Sequence, residues 1–153
     1  MAQDRPLTLQ AGLVDGFGGG VGTVTLTQAP LGLLVRIDVT GLPEGWHGVA
    51  FHAMGDCSDN IDGFQLAGPS LANAGEEHGF LNAKGPKAGS LPNIWIHADR
   101  TGRAEFYTPA ITLDALRDQD GSALILYSGA DDYKSQAAGN SGARVACATI
   151  PAD

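Results

Sequence analysis

Residues 47–57 read HGVAFHAMGDC, a run of strand-forming residues that carries two histidines into a Gly-Asp turn and a cysteine. Side chains of a strand alternate between its two faces, so ligands that converge on one ion from a single strand sit at even spacing. His47 and His52 are five apart and face opposite ways. The position two residues before His52, on its own face, is Ala50. Its own residues leave two readings open: a metal strand that has lost a ligand there, or one that never carried it.

The same alternation recurs on both sides. TVTLT (23–27) and LVRIDV (34–39) alternate apolar and polar residues, the mark of half-buried strands. Similar segments lie near 7–13, 46–53, 94–98, 103–107, 123–127 and 143–150, most of them bounded by Gly, Pro, Asn or Asp. About eight short strands with such punctuation predict an antiparallel sandwich or barrel in one domain spanning 1–153. Only ITLDALR (111–117) has a helical pattern, and it is too short to change the class.

Composition agrees. The 153 residues include 22 glycines and 8 prolines, which favour short elements joined by turns. A formal charge of −8 argues against nucleic acid or an anionic membrane as partner, since both attract a basic face. No apolar run approaches the roughly 20 residues of a membrane span. The first residues, MAQDRP, have no apolar signal core, and Ala-Gln-Asp suits a mature end left by signal cleavage with Met1 added before it.

Two connections break the rhythm. Residues 54–93 and 128–142 carry no strong strand signal, and ordered loops of that length usually have a function or an external tie. The two cysteines, Cys57 and Cys147, are either two buried thiols or a disulfide. A bond from Cys57, near the start of the first loop, to Cys147 on the last strand would tie that loop to the barrel. Loop-closure entropy would give it at most about 4–5 kcal/mol and place the chain in an oxidising compartment.

Three blocks, GLPEGWHGVAFHAMGDCSD (41–59), LAGPSLANAGEEHGFLNAKGPKAGSLPN (66–93) and SGADDYKSQAAGNSGARVACATI (128–150), closely resemble copper–zinc superoxide dismutases, especially the bacterial periplasmic type. GNSGARVAC and ADDY are the most specific. The resemblance implies an all-β, flattened eight-stranded Greek-key barrel with two long loops. It implies that Cys57 and Cys147 form the family disulfide, and that the protein is periplasmic or secreted.

Function carries over only residue by residue. The family holds copper with four histidines and zinc with three histidines and an aspartate, one histidine bridging both metals. The first copper histidine falls on Ala50 and the second on His52. The bridging histidine falls on Ser70 and the last copper histidine on Tyr127. On the zinc side His78 is kept, the next histidine is Lys87 and the aspartate is Ser90. The resemblance therefore leaves His52 and His78 as a weak metal-binding remnant. Alanine and serine offer no soft or borderline donor, and a protonated lysine has no lone pair.

The surroundings match better. Asp131 falls on the residue that links a copper histidine to a zinc histidine, and Arg144 on the arginine beside the copper that guides superoxide. His47 matches a structural histidine. His97 reads as a solvated strand end, Met54 as packing, and Trp46 and Trp95 as barrel aromatics. Lys87 either replaces the zinc charge electrostatically, with Asp131 or Glu76, because a buried carboxylate without a counter-charge is costly, or is a solvent-facing lysine on a loop.

These observations predict a non-catalytic relative of the dismutase, with no cofactor and no catalytic residue, acting as a binding or interaction module. Its partner is a protein or small molecule, with a homodimer open. The alternative is a changed site in which His52, His78 and Tyr127 hold copper, zinc, iron or haem. No Ser-His-Asp or paired-carboxylate spacing points to a different enzyme.

Overall fold

The computed structural model describes residues 7–153, so the MAQDRP terminus and the reading of it as a processed end lie outside the described residues. Eight strands appear in order: β1 (Thr8–Asp15), β2 (Gly20–Gln28), β3 (Leu33–Thr40), β4 (Gly45–His52), β5 (Ser90–Ile96), β6 (Thr101–Thr108), β7 (Ser122–Tyr127) and β8 (Arg144–Ile150). All ladders are antiparallel, in the spatial order β5-β4-β7-β8-β1-β2-β3-β6. After β3 the chain leaves to build β4 and β5, then returns with β6 beside β3. The result is a nearly closed Greek-key barrel whose two edge strands, β5 and β6, are joined by the turn at 97–100.

Strand alternation fills the barrel. In β3, Leu33, Val35, Ile37 and Val39 point inward while Leu34, Arg36 and Thr40 face water. They pack with Leu13, Leu26, Phe51, Leu91, Leu124, Ala148 and Ile150 in one core, each large side chain contributing roughly 1.5–3 kcal/mol on burial. At Gly22, φ is +149° and a Cβ would run into the Asp38 carbonyl oxygen, so only glycine fits the β1–β2 irregularity there.

β7 does not alternate. Ser122 to Tyr127 are buried throughout, because its outer face is covered as well. A second cluster, Ala50, Phe64, Ala67, Ala123, Ile125, Tyr127 and Cys147, lies between the outside of β4, β7 and β8 and the long loops. Residues on this second face include every ligand position that the resemblance assigns to β4 and β7.

The first loop is shorter than expected. β5 begins at Ser90, four residues before the predicted start at Ile94. Pro92 and Asn93 lie opposite Gly48 in an irregularity of the β4–β5 ladder, which accommodates a proline on an edge strand. Two 3₁₀ turns, Asn60–Asp62 and Gln65–Ala67, punctuate the loop. The predicted helical segment is a single turn, α1 (Leu113–Leu116), whose Thr112 Oγ1 accepts from the Ala115 N–H at 3.1 Å. Cys57 and Cys147 are disulfide-bonded, tying the loop to β8.

Candidate functional site

The outer face of β4 and β7 brings the expected positions together. Ala50 and Ser90 are cross-strand partners in the β4–β5 ladder, and both are buried. His52 and Ser70 form an isolated antiparallel bridge. Tyr127 ends β7 on the same face as His52.

His52 is fully buried, with Nδ1 2.7 Å from the Gly68 carbonyl and Nε2 2.7 Å from the Tyr127 phenol oxygen. A carbonyl only accepts, so Nδ1 carries the proton. Nε2 of the neutral ring then accepts from the Tyr127 O–H. Burial pulls the His52 pKa down to about 4, against the Gly68 bond, and Arg144 and Lys87 add to the lowering. Burial pushes the Tyr127 phenol up; Arg144 opposes the shift and Asp131 reinforces it. The one lone pair His52 could offer a metal is engaged by the phenol.

On the zinc side, His78 Nε2 donates to Asp131 Oδ1 at 2.8 Å, and both side chains are buried. Asp131 Oδ1 also accepts from the Tyr133 N–H at 2.7 Å. Gly139 packs directly on this pair, and a Cβ there would collide with the carboxylate.

Lys87 departs from expectation. Its ammonium donates to Ser70 Oγ at 3.0 Å and to the Ala137 carbonyl at 3.2 Å. It forms no salt bridge among the described residues. Asp131 is engaged by His78, and Glu76 accepts from the N–H groups of Asn73 and Ala88. Lys87 therefore bridges the two loops through neutral oxygens and does not replace zinc by pairing with a carboxylate. Partial burial lowers its pKa.

Further bonds stitch the loops together. Gln136 makes a two-way pair with the His78 backbone, Oε1 accepting from N–H and Nε2 donating to the carbonyl, each at 2.8 Å. Asn93 does the same for Asp131, at 2.8 and 3.0 Å. Phe80 and Tyr133 meet edge to face at 5.3 Å. Arg144 is half-buried and donates to the Phe64 carbonyl at 2.9 Å. His47 is buried, with its ring nitrogens 2.6 and 2.7 Å from the carbonyls of Tyr127 and Pro43. His97 is exposed, and the Trp46 and Trp95 rings meet edge to face across β4 and β5.

The donors present differ from the copper and zinc sets that the family resemblance assigns to these positions. No group of three His, Cys, Asp or Glu side chains converges among the described residues. Of the alternative set, His52 and Tyr127 meet, while His78 is directed to Asp131. The cavity lined by Ala50, Ser70, His78, Tyr127, Asp131 and Ser141 measures about 10 Å³, room for about one water and far too small for haem.

Sequence reasoning missed the pairing itself. Tyr127 with His52 and Lys87 with Ser70 were each placed at ligand positions, but nothing in the chain said that these replacements would bond to one another. Asn93 and Gln136 were not singled out, and no short-range pattern marks them.

The profile of the family described as copper/zinc superoxide dismutase (SODC) matches residues 21–150. The chain belongs to that family. A copper–zinc superoxide dismutase from Caulobacter vibrioides is 41% identical over 142 residues, covering 88% of this chain and 80% of the relative. Among solved structures, a superoxide dismutase-like protein from Bacillus subtilis, crystallised with a tyrosine and a proline each replaced by histidine, superposes with a TM-score of 0.88. It is 33% identical and covers 93% of this chain and 96% of its own. The copper/zinc superoxide dismutase from Brucella abortus gives a TM-score of 0.77 at 26% identity, over 94% and 99%. The barrel fold is thus shared with these structures.

Proposed function

We propose that this member of the superoxide dismutase family is non-catalytic, a binding module of the periplasm or cell exterior built on the inherited barrel. One observation carries the reading: the acceptor nitrogen of His52 is closed off by the Tyr127 phenol. Redox turnover at copper requires several imidazoles around one ion, and the position that would supply another here donates a hydrogen bond to His52. Ser70 and Lys87 bond each other where the bridging and zinc histidines would sit. Each replacement satisfies another, as buried polar groups must.

The disulfide and the bacterial relatives support an oxidising compartment. No helix of the described residues is long and apolar enough to cross a membrane. A homodimer or a protein partner fits this reading; small-molecule binding at the old metal positions does not, given the size of the cavity.

The test is metal analysis and a dismutase assay on protein supplied with copper, zinc, iron and haem, then dialysed against a mild chelator. The expected result is substoichiometric metal and no activity. Stoichiometric copper or iron with activity overturns the reading. Retained metal lost in both His52→Ala and His78→Ala would establish the altered-site alternative.

A further inference from the structure

We infer that the tip where the β1–β2 turn meets the 59–66 segment is a docking surface for a basic protein segment bearing apolar side chains. This names a partner class for the binding-module reading and rests on it. Phe17 is 96% exposed and Ile61 88%, with Leu66 half out of the surface. Large apolar side chains grouped on one exposed surface mark interaction sites, and aromatic anchors dominate binding energy there.

The tip is rigid. Asp15 Oδ1 accepts from the N–H groups of Phe17 and Gly19, both at 2.9 Å, which fixes the turn. Asn60 Nδ2 donates to the Gly16 carbonyl at 3.1 Å and holds the two segments against each other. Asp59 Oδ2 accepts from the Leu66 N–H at 3.0 Å and closes the second segment. An apolar group held in place in this way loses little ordering entropy on binding.

Charge selects the occupant. Residues 37–83 contain seven aspartates and glutamates and no lysine or arginine, and residues 6–35 contain no lysine or arginine either. Asp15 accepts from the Phe17 N–H, Asp59 accepts from the Leu66 N–H and Asp62 follows Ile61 in the chain, while the half-buried Arg144 reaches this segment at the Phe64 carbonyl. Asp59 Oδ1 is shielded from water with no hydrogen-bond partner among the described residues. A second copy would bring the same carboxylates to the contact, and nucleic acid or an anionic membrane would be repelled. A cationic segment with apolar side chains satisfies both the charge and the exposed surface.

The test is a fluorescence-anisotropy titration of the full chain with a labelled amphipathic peptide of lysine and leucine at low salt, with a glutamate–leucine peptide as control. Metal content and dismutase activity bear on the old site alone, so they fail or succeed independently of this titration. Wild type is expected to bind the basic peptide and not the acidic one. Phe17→Ser with Ile61→Ser should weaken binding by about tenfold or more while leaving the thermal unfolding curve in place. Asp62→Lys, at an exposed side chain, should also weaken binding measurably. Three outcomes overturn the inference: no binding by wild type, equal binding by the Phe17/Ile61 variant, or a wild-type dimer that this variant dissociates, which would make the occupant a second copy.

Discussion

Tyr127 and His52 lie 2.7 Å apart, phenol oxygen to ring nitrogen, across the outer face of β4 and β7. Ala50 lies two residues from His52 on the same strand face and packs in the same cluster as Tyr127. The Tyr127 backbone carbonyl accepts from His47 on the other side of β4, so one residue connects His52 to His47.

Tyr127→Phe keeps the ring and deletes the donor. His52 Nε2 would then be a buried acceptor without a partner, which costs about 1–3 kcal/mol. The midpoint of urea unfolding should fall accordingly at pH 7 with an unchanged slope. An unchanged midpoint would show that water replaces the phenol without loss.

The depressed His52 pKa makes stability depend on pH. The unfolded chain binds this proton near 6.5, the folded chain only near 4. Between those values the unfolded state holds more protons, so stability rises with pH. The contribution is complete above about 6.5 and is lost progressively as pH falls to about 4, to a total of roughly 3 kcal/mol. His52→Gln should flatten the curve in that window relative to wild type, measured as urea midpoints from pH 7.5 to 4. Parallel curves would show that carboxylates elsewhere govern the acid limb.

The strands were legible because their chemistry is local. LVRIDV alternates, and Leu33 to Thr40 form β3 within a residue of the predicted ends at both termini. The early start of β5 was not legible, because Pro92 interrupts the pattern and only the partner strand explains how it is tolerated. The assignment of ligand positions rests on the family resemblance alone, since no local pattern in the chain marks them. How Tyr127, Lys87 and Ser70 were reused was hidden, since each bond joins residues 17 to 75 positions apart. Electrostatic reasoning placed Lys87 against a carboxylate. The fold instead commits Asp131 to His78 and gives Lys87 two neutral oxygens.

Cys57→Ser should lower the melting temperature and open the loop to protease. The bond spans 90 positions, and closing so long a loop contributes at most about 4–5 kcal/mol. The His78, Asn93 and Gln136 bonds hold only the later part of the loop, so cleavage should concentrate between Met54 and Leu71. A variant as resistant as wild type would mean that the packing of Phe64 and Ala67 and the Asn60–Gly16, Asp59–Leu66 and Arg144–Phe64 hydrogen bonds hold this segment without the disulfide.

Restoring histidines tests whether only the ligands have changed. Ala50→His, Ser70→His and Tyr127→His together remove the phenol from His52 and return four imidazoles to one face of the barrel. Lys87 then loses its Ser70 partner and needs replacement in the same background, so Lys87→His and Ser90→Asp complete the zinc side. The triple variant should bind copper at near one equivalent, with nitrogen hyperfine structure in its electron paramagnetic resonance spectrum. The quintuple variant should take up zinc as well and gain thermal stability from it, since a metal bound only by the native state shifts the folding equilibrium. Folded triple-variant protein that takes up no copper would mean that β4 and β7 have shifted along with their side chains.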